Sequence, residues 1–188
     1  MIFSKTPLKD AYLIEIERLE DERGFFAEGW KKESAAQHGI QADFNRSNIS
    51  YNRYAHTVRG LHSQAQPYAE AKLVQCIAGA VFDVIVDMRP SSHTYLQWTG
   101  AYLTAENHKM LFVPKGFLHG FQTLEDETTV FYQIEGIYKP QSEVGYRFDD
   151  PAFNIDWPDA NQRILSQKDR NWPDFKAVSS ACKGVPQA

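Results

Sequence analysis

The amino-acid sequence predicts an all-β fold, an antiparallel sandwich or barrel. Short runs rich in β-branched and aromatic residues recur along the chain, Gly, Pro and Asn/Asp punctuate the gaps, and no long helical pattern alternates with them. In chain order the predicted strands are Ala11–Ile16, Lys72–Ala78, Ala80–Asp87, Leu96–Leu103, Lys109–Val113 and Thr128–Ile134. A short helix is predicted over Lys31–His38, stopping before Gly39. If Ala78-Gly79 is a two-residue hairpin turn, Val74 lies opposite Asp83 and Cys76 opposite Val81. A strand face that mixes Lys72 and Asp83 with Val81 and Ile85 suits neither solvent nor a plain core, because a buried charge is costly unless paired. It suits the lining of a polar cavity. In Thr128–Ile134, period-two alternation puts Tyr132 with Val130 and Ile134, on the face opposite Phe131.

A chain of 188 residues, 43% hydrophobic and 23% charged, is long enough to bury a sizeable core in one domain. One domain is expected over 1–178, with a flexible tail over 179–188. Cys76 and Cys182 form neither a disulfide framework nor a CxxC metal site, which fits a reducing cytoplasm. Met1–Asp10 has no signal-peptide pattern, and no apolar run approaches the roughly 20 residues that span a bilayer, so the expectation is a soluble, unexported protein. With a net charge of −4 and scattered basic residues, the footprint of a nucleic-acid binder is missing. Trp98, Trp157 and Trp172 read as core or interface anchors.

Two segments carry the chemistry: Arg59-Gly-Leu-His62-Ser-Gln64 followed by Lys72, and Pro114-Lys-Gly116-Phe-Leu-His119-Gly120-Phe. Together they resemble the two motif regions of the cupin superfamily, which implies a double-stranded β-helix, or jelly roll, with short peripheral helices. Metal-binding cupins carry HxH in the first motif; here it reads His62-x-Gln64, and a neutral amide is a poor transition-metal ligand. No metal and no cofactor are therefore expected, although Glu70 and His119 keep a weakened metal reading open.

A narrower resemblance spans nearly the whole chain. Asp21-Glu-Arg23-Gly-Phe-Phe-Ala-Glu28, Asn48-x-Ser50, Arg59-Gly-Leu-His62, Lys72-Leu-Val, Phe82-Asp83-Val, Pro114-x-Gly-Phe-x-His119-Gly-Phe, Tyr132, Tyr138-x-Pro, Glu143-x-Gly and Ser166-x-Lys168-Asp169 occur in this order. The set resembles the dTDP-4-dehydrorhamnose 3,5-epimerase family. The resemblance implies an enzyme, an isomerase that inverts C3 and C5 of a nucleotide-linked 4-keto-6-deoxyhexose. His62 would be the base, Asp169 its orienting partner, Lys72 the cation facing the enolate oxygen, with His119 beside it, and Tyr132 the proton donor on the opposite face. Arg23, Arg59 and Lys168 would lie near the diphosphate or base. Glu28, Glu143, Tyr138 and the stretch Arg46, Ser47, Asn48 would surround nucleotide or sugar. The same resemblance implies a homodimer in which the Arg23–Glu28 segment crosses to the partner. Two departures stand out: relatives commonly have Gln where this chain has Arg46, and an aromatic residue where it has Ser63.

Other readings remain open at this stage. The same residues would serve a 3-epimerase acting at one carbon. A metal-dependent oxygenase would use His62, His119 and Glu70, and a silent sugar-binding module would need no acid and base on one ligand. His38, His56, His93 and His108 read as structural histidines.

Overall fold

Two antiparallel sheets dominate the structure, a computed structural model that describes residues 1–176; the expected tail, 179–188, lies outside the described residues. The elements run β1 (Ile2–Lys5), β2 (Tyr12–Glu15), β3 (Leu19–Asp21), β4 (Gly24–Phe26), α1 (Lys32–Gln37), β5 (Arg46–Asn52), β6 (Val58–Gln64), β7 (Ala71–Ala78), β8 (Ala80–Asp87), β9 (Trp98–Thr104), β10 (Met110–Val113), β11 (Phe117–Thr123), β12 (Thr128–Glu135), β13 (Glu143–Gly145) and α2 (Gln167–Arg170). A 6-stranded sheet has the order β1-β2-β10-β7-β12-β5, a 5-stranded sheet the order β13-β6-β11-β8-β9, and β3 and β4 pair separately. This is the cupin-type jelly roll that the motifs implied.

The hairpin predicted at Gly79 does not form. β7 pairs with β10 and β12, whereas β8 pairs with β11 and β9, so Gly79 is the point where the chain leaves one sheet for the other. Its φ of +71° and a Cβ position only 2.4 Å from Thr128 Oγ1 leave room for glycine alone. The expectation of a shared interior face survives by another route. Val74 and Cys76 from one sheet meet Val81, Ile85, Phe117 and Phe121 from the other in the central apolar cluster.

Both sheets are covered on their outer faces as well. Tyr12, Ile14, Leu73, Met110 and Phe112 pack against Ala35 of α1 and against Ile40 and Ala42. Phe82, Val84, Val86 and Leu118 pack against Phe153 and Trp157. β8 is therefore buried on both sides and reads as a near-continuous apolar run rather than a half-polar alternation. Burying each large aliphatic side chain contributes roughly 1.5–3 kcal/mol, and these layers fix where the remaining polar interior lies.

Candidate active site

Between the sheets, one end of the barrel opens into a cavity of about 480 Å³ lined by His62, Lys72, His119, Tyr132, Arg59 and Arg46 among others. The sheets share the work. β6 and β11 supply His62 and His119, which face each other directly in register, while β7 and β12 supply Lys72 and Tyr132.

A local irregularity lets β6 do this. Arg59 and His62 are an odd number of residues apart, and a regular strand would turn them to opposite faces. The β6–β11 register shifts between His119 and Phe121, so that Gly60 and Leu61 together oppose Gly120. The backbones come so close here that a Cβ on Gly60 would sit 2.5 Å from the His119 carbonyl oxygen, and one on Gly120 would sit 2.7 Å from that of Arg59. The bulge returns His62 to the cavity face, while Leu61 turns into the outer apolar layer.

His119 is buried and its Nε2 lies 2.8 Å from Asp83 Oδ1; Asp83 Oδ2 has no hydrogen-bond partner among the described residues. Sequence reasoning flagged Asp83 as an odd charge in an apolar strand but did not foresee that it holds His119. Tyr132 packs edge-on to His119, with ring centroids 6.0 Å apart. Burial raises the Tyr132 phenol above its usual range, with the negative charge of Asp83 adding to the effect, so it keeps its proton. Burial lowers the Lys72 ammonium pKa, opposed by Glu70 and Asp83. Among the described residues no carboxylate forms an ion pair with Lys72, which leaves its ammonium facing the cavity.

Burial, reinforced by the positive charge of Lys72, pushes the His62 imidazole down to about 3. Unfolded chain takes up that proton near pH 6.5, whereas the folded protein resists until about pH 3. Stability tied to this group is complete above pH 6.5 and is lost progressively as pH falls toward 3. His62→Asn should therefore lose less Tm than the parent between pH 7 and pH 4, as read by thermal melts across that range. Parallel losses in the two proteins would contradict the assignment.

The remaining predicted residues divide. Arg59 lines the cavity, its Nε donating to Asn52 Oδ1 at 2.7 Å. Arg46 and Asn48 line it from β5, whereas Ser47, between them on an alternating strand, does not. Tyr138 and Glu143 line the rim, with Tyr138 Oη donating to Glu143 Oε2 at 3.3 Å. Lys168 is outside the lining but ion-paired to Glu143. Arg23 and Glu28 are not in the lining either: Arg23 is on the β3–β4 hairpin, bound to Asp21, and Glu28 follows it near Lys31. Asp169 is buried in α2, which packs on β6, yet its carboxylate accepts from Ser166 Oγ at 2.7 Å, and no direct bond to His62 exists among the described residues. Ser166 caps this short helix, and that cap takes the Asp169 oxygen expected to orient His62. Ser63 lines the cavity without filling it.

Gln64 points to neither metal nor ligand. Its amide donates to Glu70 and to the carbonyls of Tyr68 and Ile137, and accepts from the Lys139 backbone N–H. Glu70 is thereby tied to Gln64 and Arg46, and His119 to Asp83, so His62, His119 and Glu70 are not assembled as a ligand trio. No group of three His, Cys, Asp or Glu side chains placed to hold a metal ion occurs among the described residues.

A jelly roll whose interior sets imidazoles on one sheet against an amine and a phenol on the other is a cupin-fold enzyme equipped for proton transfer. The family model described as dTDP-4-dehydrorhamnose 3,5-epimerase matches residues 5–177, and a relative of that name from Methanothermobacter thermautotrophicus is 42% identical over 176 residues, covering 93% of this chain and 94% of its own. The crystal structure of such an epimerase from Bacillus anthracis, with TDP and PPi bound, aligns with a TM-score of 0.89 at 42% identity over 93% of this chain and 99% of that one. A Legionella pneumophila epimerase in complex with dTDP-4-keto-L-rhamnose aligns with a TM-score of 0.85 at 36% identity, covering 94% and 99%. This chain belongs to the dTDP-4-dehydrorhamnose 3,5-epimerase family, a family of isomerases.

Proposed function

We propose that the protein inverts C3 and C5 of a dTDP-linked 4-keto-6-deoxyhexose through an enolate, with His62, Lys72 and Tyr132 touching the reacting atoms. The observation that carries this is the division of the cavity: His62 lies on one sheet, Lys72 and Tyr132 on the other, and all line the same space. A hydrogen beside a ketone is weakly acidic, and removing it needs a placed base and a charge for the oxygen that becomes negative. His62 takes the proton, Lys72 faces the C4 oxygen, and Tyr132 gives a proton to the carbon from the far side. The cycle closes when the imidazolium returns a proton to the phenolate, directly or through water. The raised phenol pKa favours that return.

In deuterated water the parent should place deuterium at both C3 and C5 of the dTDP-4-keto sugar, as followed by NMR. Label at a single carbon would replace this reading with a one-centre epimerase. Tyr132→Phe keeps the ring and removes only the far-side donor. It should lower inversion about 10²-fold while exchange continues with retention. Inversion at the parental rate would remove Tyr132 from the mechanism.

The reading also includes a homodimer working in the cytoplasm. Leu19 and Phe26 are each 69% exposed on the β3–β4 hairpin, and Ile49 and Tyr51 are exposed on β5, an outermost strand whose far edge is unpaired among the described residues. Joining this apolar surface to a second copy would bring Arg23 and Glu28 toward the partner's cavity. No helix among the described residues is long and apolar enough to cross a membrane.

A further inference from the structure

At the end of the cavity away from Arg59, a second group of residues forms one connected unit. Arg46 is ion-paired to Glu70, whose carboxylate is nearly sealed from solvent, with the side chain only 6% exposed. The oxygen that accepts from Arg46, Oε1, also accepts from Gln64. Gln64 is in turn bonded to Ile137 and Lys139, on either side of Tyr138, and the Arg46 guanidinium lies 5.8 Å from the Tyr138 ring centroid. Arg46 Nε is buried with no hydrogen-bond partner among the described residues.

Charge and position separate this unit from the other cations. Arg59 reaches Asn52 and the Tyr51 carbonyl, both uncharged, and has no carboxylate partner among the described residues. Asn52 and Arg46 are the two ends of β5, about 20 Å apart at the rise of an extended strand. Arg46 shares a cross-sheet row with Lys72, both opposite Ile134 of β12. With Lys72 assigned to the C4 oxygen in the proposed function, the guanidinium free to meet phosphate is the one at the Asn52 end, and the guanidinium at the other end is already neutralised.

We infer that the Arg46–Glu70 pair is a specificity-determining device that reads an uncharged part of the nucleotide sugar, not its diphosphate. Glu70 cancels the charge and fixes the guanidinium plane beside Tyr138. The Arg46 side chain stays 26% exposed, so the guanidinium N–H groups that Glu70 does not engage are left for a carbonyl or hydroxyl acceptor on the ligand. A donor that the bound ligand itself covers discriminates more sharply than apolar contact, because the wrong ligand leaves it unpaired. This rests on the proposed nucleotide-sugar function and refines which residues set its selectivity.

The test is binding, read by calorimetry with dTDP-4-keto-6-deoxyglucose and, separately, with inorganic pyrophosphate. Arg46→Gln/Glu70→Gln removes both charges at once and avoids stranding a buried carboxylate. It should weaken the nucleotide sugar about tenfold, leave pyrophosphate affinity within about twofold, and keep the parent's salt dependence. Arg46→Lys retains a partner for Glu70 but has no planar fork. It should keep the parental Tm and still weaken the nucleotide sugar several-fold, a loss that a purely structural pair would not give. Unchanged nucleotide-sugar affinity in both variants, or a parallel loss of pyrophosphate binding with a flatter salt dependence, would overturn the inference. A parent that binds the sugar nucleotide without turning it over would refute the epimerase function instead and leave this test intact.

Discussion

His62→Asn is expected to lower kcat about 10³–10⁴-fold while nucleotide binding survives. The substitution keeps a polar group of similar reach and removes the only imidazole among the described residues that both faces the cavity and lacks a carboxylate partner there; the other cavity imidazole, His119, is held by Asp83. General base catalysis accounts for factors of about 10²–10⁴, and here no second base stands ready to replace it. The depressed His62 pKa sharpens the expectation. An imidazole that resists protonation in the empty cavity is a weak base, and Lys72 is one reason for that resistance. In the proposed mechanism the enolate oxygen offsets the ammonium charge as it forms, and the imidazolium becomes tolerable at the same moment. Steady-state kinetics with the 4-keto sugar checks this. Turnover within tenfold of the parent would remove His62 as the base.

Lys72→Gln should lower kcat about 10³-fold with a much smaller effect on KM. The ammonium has no ion-pair partner among the described residues, and in the proposed mechanism it meets a charge that appears only during reaction. Removing one fixed donor from an oxyanion site typically costs about 10²–10³ in rate, and the loss of a full positive charge in a solvent-poor cavity lies at the upper end. Glutamine fills similar space and can still donate a neutral hydrogen bond, so lost activity would report charge rather than packing. A KM rise with unchanged kcat would instead make Lys72 a ground-state binding residue.

The strands that were legible in sequence are those whose patterns obey one rule throughout. β8 falls on Ala80–Asp87 as predicted because it is covered on both faces, and β7, β9, β10 and β12 lie within a residue or two of expectation. β5 was missed because Arg-Ser-Asn-Ile-Ser-Tyr-Asn turns no apolar face to the core: its inward side is polar cavity, Ile49 and Tyr51 are exposed, and among the described residues its outer edge is unpaired. β6 escaped because its bulge breaks the alternation that identifies strands. The crossing at Gly79 was misread for a physical reason. A single glycine between two apolar runs looks alike whether the chain reverses within a sheet or steps between sheets, and only the neighbouring strands distinguish the two.

For the site, the two motifs and the family resemblance pointed to His62, Lys72, His119 and Tyr132, which the fold gathers into one cavity. It did not reveal what holds them. Asp83 beneath His119, Asn52 beneath Arg59 and Glu70 beneath Arg46 are non-local partners, separated from the residues they hold by 36, 7 and 24 positions. Glu70 had been considered only as a metal ligand. Arg23 and Glu28 remain outside the cavity of the single chain, which is where a partner-contributed element would be found.

Because His62 and Tyr132 hang from facing layers of the sandwich, the reach of the proposed proton transfer would be set by layer spacing, about 10 Å in packed sheets, and not by any loop. Warming that loosens the apolar filling near Val74, Val130 and Phe121 would stretch that reach before the backbone melts. Catalysis would then fade at lower temperature than circular dichroism does, and trimming Val130 to Ala would widen the interval between the two.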